Sequence, residues 1–251
     1  DKNDKQAILL YNKDDKNLYS LFKNRKKSSQ FSLKEAEFKA DNIVYDNFQS
    51  TFDFYQAGEL ITSIELSVPG EYNLYNALAA ASAARKLKID IEPIKAALKK
   101  FSGVGRRFDF KGKILNNAVD VVDDYAHHPT EIKELLKTVK NMNYNHIRVI
   151  FQPHRYSRTH KFYQEFSLAF ADADQVYLTD IFSASEKNKY KISMVEFAEK
   201  IANNSAVECS YLADFNQISE KLIAEAESGD IILTVGAGNI TDLSDLIIKN
   251  A

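Results

Sequence analysis

A single cysteine, Cys209, stands in the 251 residues, so no disulfide can form within the chain. Its expected role is that of a small buried hydrophobe, and cysteine usage this low fits a reducing, cytoplasmic setting. No apolar run approaches the roughly 20 residues that a membrane-spanning helix needs. The opening stretch Asp1-Lys2-Asn3-Asp4-Lys5 is not read as a signal peptide, and membrane insertion is not expected. Nor does one sign of charge dominate. The 33 Lys and Arg residues face 35 Asp and Glu, a formal net charge of −2, which offers no basic surface for nucleic acid. There is no internal repeat, no low-complexity tract and no G-x-x-x-x-G-K-[ST] phosphate loop. The G-x-G at Gly236-Ala237-Gly238 lacks a third glycine at dinucleotide spacing and follows the last expected strand. It is read as a tight turn with close backbone approach.

What is present is ordinary for a globular chain, with 45% hydrophobic and 27% charged residues. A chain of this length buries roughly 70–75% of its unfolded surface and needs no staples; the length allows one large domain or two modest ones. Residues 7 to 68 are mostly strand-like. Ala7 to Tyr11, Gln30 to Leu33 and Phe38 to Tyr45 are candidates, and Thr51–Tyr55 with Leu60–Val68 reads as a hairpin across Gln56-Ala57-Gly58-Glu59. In its second strand Leu60, Ile64, Leu66 and Val68 share one face. Pro69-Gly70 stops the hairpin, and an alanine-rich helix follows from about Asn73 to Leu87. Asn73 and Asn76 project from the same side of its first turn. Asn73 reads simply as a cap; Asn76 is less comfortable as structure alone, and an amide can pair with an adenine edge. A second helix, opened by Glu92-Pro93, is expected to bury Ile94, Ala97, Leu98 and Phe101. The segment Ser102-Gly103-Val104-Gly105-Arg106-Arg107-Phe108 then reads as a hinge. Its arginines are either solvated or set against phosphate, which their forked donors match.

From Lys113 onward strands and helices alternate, which predicts a mostly parallel, doubly wound sheet. Val119 to Val122 is a short β-branched strand, and Pro129 suits the first position of a helix carrying Ile132, Leu135, Leu136 and Val139. The turn between them holds Asp123, Asp124, Tyr125, His127 and His128. In an open α/β sheet such turns, outside the carboxyl ends of the strands, bind ligands, although Asp123 alone reads equally as a helix cap. The aspartates and histidines of this turn are also a conceivable metal set for a phosphoesterase, with no further ligands at a recognisable spacing. After the strand Ile147–Phe151 comes Gln152-Pro153-His154-Arg155-Tyr156-Ser157-Arg158-Thr159-His160, in which Arg155 and Arg158 either face one carboxylate, given a helical turn between them, or are a pair of solvated loop arginines. A helix with Phe162, Phe166, Ala169 and Phe170 follows. Further strands are expected at Val176–Thr179, Val207–Leu212 and Ile231–Val235.

Taken together, five of these stretches resemble the Mur ligases of peptidoglycan synthesis. They are Pro69 to Ala80 (P-G-E-Y-N-L-Y-N-A-L-A-A), Gly105-Arg106-Arg107-Phe108, Asp123 to Glu131, Phe151 to Thr159 and Gly236-Ala237-Gly238-Asn239-Ile240, in the family's order over nearly the whole chain. The resemblance implies an ATP-driven amide ligase that forms an acyl phosphate. Within the family, the P-H-R-Y-S-R-T word points to the reaction joining L-alanine to UDP-N-acetylmuramate rather than to the related attachment of recycled tripeptide. By position, Asn73 and Asn76 are implied to contact adenine, Arg107 the ATP phosphates and Asp124 the ribose. Tyr125, His127, Arg155 and Arg158 are implied to form the pocket for the amino acid and the reacting carboxylate. Tyr72 stands where the family usually has His. The family's uridine-nucleotide domain, its phosphate loop and its metal-binding Glu do not occur in these residues, so Mg²⁺ ligands are expected elsewhere. The chain is expected to comprise a remnant of the ATP-binding central domain (1–107), built as a β-hairpin with helices, and a Rossmann-like α/β C-terminal domain (108–251), and not to catalyse by itself. A stand-alone nucleotide-binding module is the alternative; it predicts ATP binding by this chain alone.

Overall fold

The structure, a computed structural model, describes residues 8–251. The stretch Asp1 to Lys5 and Ala7, the first residue of the expected opening strand, lie outside the described residues. The chain divides into two compact units, one ending at Ser102 and one beginning at Gly103.

The first unit contains β1 (Leu9–Asn12), α1 (Lys16–Phe22), β2 (Ser28–Ser32), β3 (Phe38–Asp46), β4 (Gln49–Gln56), β5 (Glu59–Leu66), α2 (Glu71–Lys86) and α3 (Ile91–Lys100). The expected hairpin is therefore part of a larger sheet, ordered β1-β2-β3-β4-β5. It is parallel from β1 to β3 and antiparallel from β3 to β5. The β4–β5 turn is Ala57-Gly58, with φ of 53° and 87°, the two left-handed residues that match the twist of a tight hairpin. The register slips beyond it: Phe54 pairs with Thr62 but Tyr55 with Leu60, so Ile61 is extra. That bulge reverses the phase of the strand. Leu60 is consequently 55% exposed while Ile64, Leu66 and Val68 are buried, which corrects the single face drawn from the sequence. The helix α1 was also not expected. Asp15 caps it by accepting the amides of Asn17 and Leu18 at 2.8 and 2.9 Å, but it buries no residue and so carries no strong apolar period.

The helix α2 starts earlier than expected, at Glu71, with Gly70 as its N-cap at φ 94°. Asn73 is not the cap; its Nδ2 donates to the Pro69 carbonyl at 2.7 Å. Leu74, Leu78 and Ala81 of α2 join Phe38, Phe52 and Phe54 in the core of this unit. Of the four residues expected to be buried on and after α3, only Ile94 is; Leu98 is half-buried, and Ala97 and Phe101 are exposed.

The second unit contains β6 (Asp109–Ile114), β7 (Val119–Asp124), α4 (Pro129–Lys140), β8 (Ile147–Phe151), α5 (Tyr156–Lys161), α6 (Tyr163–Ser167), β9 (Gln175–Leu178), α7 (Met194–Ser205), β10 (Glu208–Tyr211), α8 (Phe215–Glu225), β11 (Ile231–Val235) and α9 (Thr241–Asn250). Its sheet runs β10-β9-β8-β11-β7-β6, parallel throughout except for β6. This is the mostly parallel α/β fold that the alternation predicts. Every residue of β7, β8 and β11 is buried, as strands covered on both faces require. Val235 pairs with both Asp124 and Phe151, so the carboxyl ends of these three strands are level. The expected single helix after β8 is broken at Phe162 into α5 and α6. Phe166 and Phe170 still pack on Phe151, with ring centroids 5.4 and 5.3 Å away.

A buried charge network closes the amino ends of β8 and β11. Arg148 donates through Nε to Asp230 Oδ2 at 2.9 Å, through Nη1 to Gln175 Oε1 at 2.7 Å and through Nη2 to the Glu225 carbonyl at 2.8 Å. His146 Nδ1 lies 2.9 Å from Asp230 Oδ1. Among the described residues, no helix is long and apolar enough to cross a membrane.

Candidate active site

The ligand edge of the second unit is built from the loops after β7, β8 and β11. β7 extends two residues beyond the expected Val122, so Asp123 and Asp124 are buried strand residues rather than members of the turn. Asp123 accepts the Thr234 hydroxyl at 2.8 Å and Arg106 Nε at 3.1 Å. Arg106 then donates to the carbonyls of Gly236 and Gly238 at 2.9 and 3.0 Å. One guanidinium thus ties the end of β7 to the loop after β11. The sequence singled out Arg107; the structure turns Arg106 inward, at φ 63°, and leaves Arg107 exposed.

Asp124 accepts the amides of Phe108 at 2.8 Å and Ala126 at 2.7 Å. Burial nevertheless pushes its carboxyl up to about 6, against those amides and the charge of Arg107. It is 7% exposed, so a ribose hydroxyl could reach only the lone pairs left over. His128 does not face a ligand: it is the N-cap of α4, and its Nδ1 accepts the Thr130 amide at 3.3 Å. Glu131 accepts the amides of His127 and His128 at 3.0 and 3.1 Å, which completes a capping box. Pro129 occupies the first helical position as expected.

These bonds leave Tyr125 and His127 projecting. The Tyr125 ring lies 5.1 Å from the Arg106 guanidinium and meets the His127 ring edge-on at 5.3 Å. His127 Nδ1 is 2.9 Å from the Tyr125 carbonyl, which can only accept, so Nδ1 is the donor. The His127 and His154 rings stand 6.2 Å apart, so the loops after β7 and β8 meet. Between them opens a cavity of about 400 Å³, lined by Tyr125, His127, His154, Arg155, Ser157, Arg158, Lys161, Phe162 and Ala237. Arg155, Arg158 and Lys161 give this lining its positive charge, and no carboxylate is among the lining residues.

Four of the residues expected to be catalytic, Tyr125, His127, Arg155 and Arg158, therefore line one cavity. Asn73 and Asn76 belong to the first unit, where Asn76 is exposed. His154, Lys161 and Arg106 were not singled out from the sequence. His154 is held on both sides: its ring stacks on Phe182 at 5.5 Å, and Arg158 Nη1 lies 3.4 Å from its Nδ1. Burial, followed by the charges of Arg158 and Arg155, lowers its pKa below the usual imidazole value. Since the folded state disfavours the imidazolium, this group contributes stability at high pH that is lost as pH falls through about 6.5. An NMR titration of His154 is expected to give a midpoint below that of a free imidazole, and Arg158→Ala is expected to raise it.

Of the G-x-G, Ala237 lines the cavity. A Cβ at Gly236, whose φ is 152°, meets the Gln152 carbonyl at 2.6 Å, so the close backbone approach expected there is present. The carboxylates of Asp123 and Asp124 are engaged by Arg106, Thr234 and the amides of Phe108 and Ala126. Among the described residues, no group of three or more His, Cys, Asp and Glu side chains is placed to hold a metal ion.

This edge has known counterparts. The family model described as "Mur ligase, glutamate ligase domain" matches residues 106–238, more than half of the chain, and the "Mur ligase middle domain" model matches residues 1–84. The chain belongs to the Mur ligase family. Among its relatives, the UDP-N-acetylmuramate–L-alanine ligase of Clostridium acetobutylicum is 39% identical over 247 residues, covering 98% of this chain and 53% of the relative. The ligase of the same name from Acetivibrio thermocellus is 42% identical over 241 residues, covering 94% of this chain and 51% of its own. The crystal structure of the UDP-N-acetylmuramate-alanine ligase from Thermotoga maritima matches with a TM-score of 0.78 and 25% identity, over 97% of this chain and 51% of that one. The chain spans about half the length of the curated relatives it matches.

Proposed function

We propose that this chain is the amino-acid-binding part of an ATP-dependent ligase that joins L-alanine to UDP-N-acetylmuramate in peptidoglycan precursor synthesis. The observation that carries the reading is the convergence of Tyr125 and His127 with Arg155 and Arg158 around one cavity without carboxylates. In this proposal the arginines hold the substrate carboxylates, and Tyr125 and His127 line the path of the amine. Asn73 and Asn76 take the adenine, Arg107 the ATP phosphates, and Asp124 the ribose while it anchors the Tyr125–His127 turn. The domain boundary is proposed at 107, with central-domain residues before it. The γ-phosphoryl group passes from ATP to the muramyl carboxylate. The amine then attacks that carbonyl, the new C–N bond forms, phosphate leaves with the C–O electrons, and the nitrogen gives up one proton to the medium. The chain's part is to fix the amine in line and to screen anionic charge. The Mg²⁺ ligands are proposed to lie in the part of the enzyme outside this chain, and the chain alone is proposed to be inactive. A cytoplasmic setting, where ATP and a nucleotide-linked sugar acid are at hand, belongs to the same reading.

The test is His127→Ala in the full-length enzyme. Its Nδ1 contacts the Tyr125 carbonyl and, at 3.6 Å, Glu131 four residues on, both local, so the expected result is an unchanged thermal midpoint with ligation of L-alanine impaired by about tenfold or more. Loss of folding would make His127 a structural residue, and normal ligation would remove it from the site.

A further inference from the structure

The helix α5 has six residues, fewer than a helix needs to hold itself in water, yet it carries Arg158 and is entered through Arg155. Arg155 sits at φ 71°, where a side chain other than glycine is strained, and its own side chain makes no capping bond. The first amides of such a helix need an acceptor from elsewhere. It arrives from the long polar loop after β9. Glu186 Oε2 accepts the Ser157 amide at 2.9 Å, and Oε1 accepts the Ser157 hydroxyl at 2.7 Å. The same carboxylate lies 3.9 Å from Arg155 Nη1. The two segments are laced together beside it: Arg155 N donates to the Phe182 carbonyl at 2.9 Å, and Phe182 N donates to Pro153 at 2.8 Å. Glu186 does not line the cavity; it stands behind the residues that do.

We propose that Glu186 is a positioning residue for amino-acid binding: it caps α5 across the chain and fixes Arg155 and Arg158 towards the cavity. This rests on the assignment of that cavity to the amino acid. Three contacts from one carboxylate add to the bonds that the Thr159 amide and hydroxyl give the Arg155 carbonyl, and Glu186 is the side-chain acceptor of the Ser157 amide at the start of this strained turn. Losing them frees Arg155 to relax to negative φ, which swings its guanidinium away. The amide and hydroxyl of Ser157 hold the Glu186 carboxyl below the usual range, so the carboxylate form that makes these contacts is the one present at neutral pH.

The test uses the full-length ligase, with L-alanine, ATP and UDP-N-acetylmuramate varied separately and the thermal midpoint recorded for each variant. Glu186→Ala is expected to raise the KM for L-alanine about tenfold, the size of one lost charge-assisted hydrogen bond. The KM for ATP and the midpoint are expected to stay in place. Glu186→Gln, which keeps an acceptor for Ser157, is expected to recover most of the loss. The proposal is overturned if Glu186→Ala leaves the L-alanine KM unchanged while Arg155→Ala raises it. It is equally overturned if all three KM values rise together with a lowered midpoint, since that marks a role in folding alone. If Arg155→Ala itself has no effect, the assignment of the cavity falls, and the proposal falls with it.

Discussion

Arg158→Ala in the full-length ligase is expected to lower kcat/KM for L-alanine by about 100-fold, the loss of a charged, forked donor from an anion site. Arg158 lines the cavity and also touches His154. The loss therefore has a pH signature. With the neighbouring charge gone, His154 regains protons at a higher pH, and an imidazolium at acid pH partly replaces the missing cation. The defect should be deepest at alkaline pH and shallower near pH 6. Arg158→Lys keeps charge but not the planar fork, so it should recover only part of the activity. Steady-state kinetics across pH check all three expectations, and unchanged kinetics for Arg158→Ala would take this residue out of the site.

Asp230→Ala is expected to destabilise the second unit by about 3–5 kcal/mol, the usual cost of stranding a buried charge. Asp230 is fully buried and holds Arg148 Nε, the His146 ring and the Glu227 amide. Burial by itself raises its pKa; the Glu227 amide, Arg148 and His146 outweigh this and leave it lowered. A lowered carboxyl contributes stability above its unfolded value of about 3.9, lost as pH falls through the folded value. Chemical denaturation of wild type and variant near pH 7 measures the difference. Because the network lies at the amino ends of the strands, opposite the cavity, the residual folded variant should keep the wild-type KM for L-alanine.

The parallel sheet was legible because β7, β8 and β11 are short stretches rich in β-branched and apolar residues, bounded by polar or glycine-rich turns, and because the helices between them carry a clear period. The first unit was less so. Its helix α1 buries nothing, and the phase of β5 is reset by a bulge at Ile61 that no residue type announces. The same distinction divides the site. Tyr125, His127, Arg155 and Arg158 stand next to strand ends, where sequence position dictates spatial position. Which of Arg106 and Arg107 points inward depends on a positive φ at Arg106, and two adjacent arginines give no sign of it. Glu186 lies in a loop without periodicity, and its role exists only through a partner 29 residues away.

The place of β11 has a consequence for how the molecule comes into being. Since β11 lies between β7 and β8, the two walls of the cavity have no shared hydrogen bonds until the ribosome has made the residues around 231–235. A nascent chain that stops short of them carries every cavity side chain except Ala237, yet has nothing to align the two halves. Such non-local pairing slows folding, and it couples the assembly of the binding edge to completion of the final strand.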